Sequence, residues 1–247
     1  DVPKLLVGSL GTLGILTEAT IRLHPVPPAE ASWLVRFGTP AAAAGFTAAL
    51  LDTPIEPARV VFVDARTSGD PAVASMAVAV SIESVPEAVA SQGAALGRLV
   101  ADHGGTAGGA SPGLWFGVGA ALAAPIQPKL AATLPRLAAW LEENRRRSSE
   151  LAMTPAMVAD AGSGVGWIGL QGSPTADTLD GALLRPVRDG LAAEGGSLVV
   201  ERAPTALKRG LDVWGPVEPG ALAIMQRLKR EFDPEGILNP GRFVGGL

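Results

Sequence analysis

Four short stretches decide the fold: Ala31-Ser-Trp-Leu-Val-Arg-Phe37, Pro40-Ala-Ala-Ala-Ala-Gly-Phe-Thr-Ala-Ala-Leu-Leu51, Ala58-Arg-Val-Val-Phe-Val-Asp64 and Ser75-Met-Ala-Val-Ala-Val-Ser-Ile82. The first, third and fourth are short apolar runs rich in β-branched residues, as strands require. The second is Ala-rich, with Pro40 where a helix tolerates proline. Pro86 to His103 follows as a second helix. Val89, Ala95, Leu96, Leu99 and Val100 face inward, and Gly104-Gly105 ends it. The order is strand–helix–strand–strand–helix.

The same order returns. Leu114 to Ala123 is expected as a strand and Pro128 to Arg147 as a helix, with Leu130, Leu134, Leu137 and Leu141 on one face. Met157 to Ala161 and Val165 to Gln171 read as paired strands. Thr178 to Glu194 is a helix striped by Leu179, Leu183, Val187 and Leu191, and Ser197 to Glu201 is a closing strand. Pro135 and Pro186 fall inside these helices, where proline breaks the hydrogen-bond ladder. Two such split units predict an α+β fold: a ferredoxin-like domain with an antiparallel sheet and helices on one face. This domain is expected over 29–204.

The flanking pieces, 1–28 and 205–247, read differently. Ile15 to Leu23 alternates, with Ile15, Thr17, Ala19, Ile21 and Leu23 on one side, and predicts a half-buried strand closed by Pro25, Pro27 and Pro28. Pro219 to Phe232 is an amphipathic helix with Leu222, Met225, Leu228 and Phe232 inward. Its basic residues Arg227, Lys229 and Arg230 sit where cations suit the helix dipole.

Composition narrows the chemistry. The 247 residues are 47 % hydrophobic and 18 % charged, which suits a chain that buries a core. A net charge of −4 leaves no basic field for nucleic acid. No run reaches the ~20 apolar residues of a membrane span. Cys and Tyr are absent and His numbers 2, so disulfides, thiolate-held metal and a cysteine nucleophile are excluded. A general acid or base must be a carboxylate, a Lys, His24 or His103. Both histidines read as structural, one before the Pro linker and one at a helix end, and no metal cluster can be assembled from them. Arg145-Arg146-Arg147 reads as a solvated helix end. The first residues, Asp1-Val-Pro-Lys-Leu-Leu-Val7, have no signal-peptide character and read as the interior of a larger domain.

Gly8-Ser-Leu-Gly-Thr-Leu-Gly14 carries the clearest binding signal. Glycines let backbone amides approach a ligand, and successive amides form an anion-binding nest suited to a diphosphate. The alternative is a tight turn between buried elements. The stretch is neither a P-loop nor a Rossmann fingerprint, because no Lys-Ser/Thr follows and the glycines recur every third residue.

Lys4-Leu-Leu-Val-Gly-Ser-Leu-Gly-Thr-Leu-Gly-Ile-Leu-Thr-Glu-Ala-Thr-Ile-Arg-Leu-His-Pro25 resembles the end of the FAD-binding domain of vanillyl-alcohol-oxidase-type flavoproteins. Leu228-Lys-Arg-Glu-Phe-Asp-Pro-Glu-Gly-Ile-Leu-Asn-Pro-Gly-Arg-Phe243 resembles that family's C-terminal signature. The intervening segment and Glu201 to Pro216 are most similar to the FAD-binding subunit of bacterial glycolate oxidase.

The resemblance implies FAD as cofactor. Gly8, Ser9, Gly11, Thr12 and Gly14 would line its diphosphate and ribose, with Ile15 passing the adenine. Asn239, Gly241 and Arg242 would return the tail to the flavin, Arg242 being otherwise a surface cation. Trp214 would stack at the cofactor or plug the core. A small 2-hydroxy acid would be the substrate, and a second flavin subunit and an iron–sulfur subunit the partners. The location would be cytoplasmic, peripheral to the inner membrane through those partners. The family's earlier FAD half-domain is not in these residues, which reads as the C-terminal part of a longer or split protein. Its histidine-rich motif is absent as well, and no catalytic residue is assigned. The rival reading is a non-catalytic module that docks a catalytic flavoprotein subunit.

Overall fold

The computed structural model describes residues 2–247, which fold as two compact units. One is Val26–Val213; the other combines residues 2–25 with Trp214–Leu247. The sequence places divisions after 28 and 204; the compact units divide after Pro25 and Val213.

The larger unit holds one antiparallel sheet of eight strands. These are β1 (Ala29–Arg36), β2 (Arg59–Val63), β3 (Ala77–Ser84), β4 (Thr106–Gly109), β5 (Gln127–Ala131), β6 (Thr154–Asp160), β7 (Val165–Gln171) and β8 (Ser197–Arg202). Their spatial order is β4-β1-β3-β2-β6-β7-β5-β8. The order reads as the same four-strand pattern from either edge, and the halves meet where Phe62 pairs with Ala159. The α+β class and the antiparallel sheet are as the sequence predicts.

Local chemistry explains the long helices. α2 (Pro40–Leu51) starts with Pro40 after Thr39, whose side chain accepts the Ala42 N–H. α4 (Pro86–Asp102) ends on Gly104 at φ 66°, and the Gly105 N–H returns to the Val100 carbonyl. α6 (Leu134–Glu150) has Pro135 in its first turn, so that proline opens the helix instead of interrupting it. Pro186 lies at the start of α8 (Arg185–Ala192), which continues from α7 (Ala176–Leu179) through a π-helical turn, Asp180–Leu184. The wider turn is where the continuous helix accommodates the missing N–H. Leu179, Leu183, Val187 and Leu191 are all fully buried, as their spacing predicts. They join Phe46, Leu96, Leu137, Leu141 and Ile168 in one core between α2, α4, α6, α8 and the sheet, and the one-turn α9 (Thr205–Lys208) follows β8.

In the larger unit the structure corrects several expectations. Leu114 to Ala123 is not a strand but a helix, α5 (Leu114–Leu122). The fourth strand of the first half is β4, whose glycines carry no strand-like pattern. Pro128 opens no helix; it lies in β5, beside a register shift between Gln127 and Pro128, an irregularity that suits a residue unable to donate to the ladder. Helices cover more than one face. α5 and the one-turn α3 (Ala65–Ser68) pack over the opposite side, closing a second core of Leu34, Val63, Val73, Ala77, Ala79 and Leu114.

In the smaller unit, α1 (Val2–Leu6) leads into the glycine-rich turn, and α10 (Pro219–Phe232) begins on Glu218, which accepts the Gly220 and Ala221 N–H groups. The strand expected over Ile15–Leu23 is not formed. The segment pairs with no strand among the described residues, and Ile15, Leu16, Ile21 and Leu23 are 66–86 % exposed. Alternation supplies a face, whereas a strand also needs a neighbour to take its hydrogen bonds.

Candidate functional site

The candidate site lies within the smaller unit. After α1 the chain turns sharply: Gly8, Leu10 and Gly11 have φ of 84°, 54° and 73°. The left-handed region admits glycine freely and other residues at a cost. Ser9 and Thr12 are buried, and the Thr12 hydroxyl donates to the Ser9 carbonyl at 2.8 Å. The N–H groups of Gly11, Leu13 and Gly14 meet no acceptor among the described residues.

The tail closes on this loop. Asn239, at φ 41°, donates its side-chain amide to the Leu10 carbonyl at 2.7 Å. A Cβ on Gly11 would stand 2.8 Å from the same Asn239 nitrogen, so only glycine fits there without displacing it. The Lys229 ammonium donates to the Thr12 carbonyl, the Leu238 carbonyl and Asp233, at 2.8, 2.8 and 2.6 Å. Asp233 also accepts the Ile237 and Leu238 N–H groups. Lys229 beside it holds the Asp233 carboxyl below the usual carboxylate range.

Two cavities flank the loop. Ser9, Gly11, Gly14, Ile15 and Asn239, with Leu6, Leu16, Ile237 and Leu238, line one of about 490 Å³. Gly8, Ser9 and Thr12 line a second of about 410 Å³, walled largely by apolar side chains from α10, Phe243 and Leu247. Of the residues singled out from the sequence, Gly241 and Arg242 line neither. The Arg242 N–H donates to the Asn239 carbonyl and its side chain is exposed.

Trp214 packs edge-on to Phe243 at 5.4 Å between ring centres. His103 Nδ1 lies 2.9 Å from the Leu99 carbonyl at the end of α4. His24 is exposed in the unpaired segment. Arg145, Arg146 and Arg147 are each paired with glutamates of α6. Among the described residues no group of three His, Asp or Glu side chains is placed to hold a metal. No helix among them is long and apolar enough to cross a membrane.

Lys229 is the residue that sequence reasoning missed, having been read as a cation facing the helix dipole. Its side chain is only 12 % exposed, and its partner Asp233 stands four residues on. That spacing is the one local signal that could have found it.

Residues 216–243 match the C-terminal domain of FAD linked oxidases. This signature spans the second half of the site: α10, Lys229, Asp233, Asn239, Gly241 and Arg242. A stretch of 64 residues is 39 % identical to the probable mitochondrial D-lactate dehydrogenase of Danio rerio, covering 26 % of this chain and 13 % of that protein. Among solved structures, an alkyldihydroxyacetonephosphate synthase shares the fold over 97 % of this chain and 49 % of its own, with a TM-score of 0.61 and 14 % identity. A substrate-bound p-cresol methylhydroxylase does so over 87 % and 53 %, with a TM-score of 0.59 and 16 % identity. A 4-ethylphenol oxidase from Gulosibacter chungangensis, in complex with isoeugenol, aligns over 90 % and 55 %, at 0.57 and 17 %. At such identities these likenesses establish the fold. The chain spans about half the length of those structures.

Proposed function

We propose that this chain is the C-terminal part of the FAD-binding subunit of a glycolate-oxidase-type oxidoreductase, which oxidises a small 2-hydroxy acid and passes electrons to partner subunits. The observation that carries the reading is the polarity of the loop over 8–14. Its Leu10 and Thr12 carbonyls are occupied by Asn239 and Lys229, while the N–H groups of Gly11, Leu13 and Gly14 are left over. Backbone donors without acceptors, on a loop that admits no Cβ at Gly11, fit the oxygens of a diphosphate. In this reading Gly8, Ser9, Gly11, Thr12 and Gly14 hold the diphosphate and ribose, Ile15 borders the adenine, and Asn239, Gly241 and Arg242 bring the tail to the flavin. FAD supplies the hydride and electron chemistry, and the protein supplies binding and orientation.

The likeness to a D-lactate dehydrogenase supports a 2-hydroxy acid as the substrate class. In this reading electrons go to partners, a second flavin subunit and an iron–sulfur subunit; the 247 residues hold no cysteine to ligate a cluster of their own. Association with the inner membrane would then come through those partners.

The test is the flavin content of the native complex, together with glycolate- and D-lactate-dependent dye reduction. The complex should carry FAD on this polypeptide, and Gly11→Val should remove it. Full flavin content in Gly11→Val would reduce the loop to a simple turn. A complex with no flavin on this chain would favour the docking-module reading.

A further inference from the structure

The glycine-rich loop does not hold its own shape. Among the described residues the only backbone bond within it is Thr12 N–H to Ser9 carbonyl at 3.1 Å, joined by Ser9 N–H to Leu6 carbonyl at its base. Leu10 occupies the left-handed region without being glycine, a conformation that crowds its Cβ. The bonds that fix the loop from outside come from residues 217 and 229 positions away: Lys229 on the Thr12 carbonyl and Asn239 on the Leu10 carbonyl.

Lys229 is built for this contact. An ammonium has three donors, and all three are spent, on Thr12, Leu238 and Asp233. Asp233, with a side chain 3 % exposed, takes the charge and accepts two further backbone N–H groups. A buried pair is tolerated when every donor and acceptor is matched, and here each is. The pair thus ties together three elements: the loop, the last turn of α10 and the Ile237–Leu238 turn.

We propose that Lys229 is the positioning residue of the glycine-rich loop, with Asp233 as its counter-charge. It engages the Thr12 carbonyl from outside the turn and so leaves the loop's donors to a ligand. The loop's own order rests on geometry alone; its use for a diphosphate rests on the function proposed above.

Amide hydrogen exchange on the whole chain tests this, comparing wild type, Lys229→Met, Lys229→Arg and Asp233→Asn. Thr12 reports on the loop. Leu222, whose N–H is held by the Glu218 carbonyl at the far end of α10, reports on the helix. In Lys229→Met, Thr12 exchange should rise at least about tenfold, a change worth about 1.4 kcal/mol, with Leu222 unchanged. Lys229→Arg should restore part of the protection, and Asp233→Asn should loosen Thr12 less than Lys229→Met does. Unchanged Thr12 exchange in Lys229→Met overturns the proposal. So does an equal rise at both amides, because the pair would then be holding the helix together and not the loop. Titration of the same samples with inorganic pyrophosphate separates the two readings. A Thr12 response without pyrophosphate binding in any sample would uphold the positioning role and sink the diphosphate role.

Discussion

Two glycines of α5 should respond to the same substitution with opposite sign. A Cβ on Gly117 would stand 2.1 Å from the Thr67 carbonyl oxygen, on backbone that cannot rotate out of the way. Gly119, two residues on, has nothing within 4 Å and is exposed. Replacing glycine by alanine in a helix gains about 0.8–1 kcal/mol from backbone entropy. At Gly119 that gain stands alone, so Gly119→Ala should stabilise by that amount. At Gly117 the contact forces α5 away from α3, an overpacking cost of roughly 1–3 kcal/mol that cancels or exceeds the gain. For a chain of this size each 1 kcal/mol moves Tm by about 2–4 °C. The two variants should therefore separate by several degrees in thermal unfolding followed by far-UV circular dichroism. Trp115 supplies a local readout. Its indole N–H bonds Ser32 at 3.1 Å and its ring lies under Arg59, so lifting α5 should shift its emission in Gly117→Ala only. Equal stabilisation by both variants would refute the reasoning, because the Thr67 contact would then not exist. Neutral behaviour of both would mean that this segment is no helix.

Leu137→Ala, at a position fully buried in the main core, should cost about 2–5 kcal/mol in urea unfolding, while leaving the fold intact by circular dichroism. Acid should destabilise the protein below the ordinary carboxylate range. Arg145 bonds hold Glu142 below its usual value, with Ser75 adding to the effect. Between that usual value and the lower folded one, the unfolded chain binds more protons, so stability falls as pH falls. Glu142→Gln should therefore narrow the gap between urea midpoints at pH 7 and pH 4, and an unchanged gap would place the acid sensitivity elsewhere. In the native complex, Gly11→Val should lower flavin content without moving the Tm of the larger unit, since the substitution lies wholly in the smaller one.

What the sequence disclosed was what local periodicity controls. The α4 and α8 stripes and the paired β6 and β7 were legible because one face of each meets a single core. α5 was not, because Leu114-Trp-Phe-Gly-Val-Gly-Ala-Ala-Leu122 is apolar on all sides and presents no stripe to read. Its helix is decided by the close approach to Thr67 that Gly117 permits and by the Ala121 carbonyl set against Gly169. Gly8 and Gly11 were legible for the converse reason, since positive φ leaves a mark on composition. Lys229 left almost none. A side chain that caps a carbonyl 217 positions away needs no pattern beyond the Asp233 that neutralises it.

The seam between the two halves of the sheet lies between these cases. Each half could be traced only in part from its strand and helix order, with β4 and β5 missed, and nothing in that order says which edges join. The joint at β2 and β6 also brings α2 against α6. Ala43, Ala44, Phe46, Thr47 and Leu50 are buried on α2, and Leu137, Ala138, Leu141, Asn144 and Ser148 on α6. Two helices in contact over one sheet bury their apolar side chains in a common space. Phe46 and Leu50 of α2 and Leu137 and Leu141 of α6 accordingly belong to one core. The seam is therefore closed twice, by the β2–β6 ladder within the sheet and by this shared core above it.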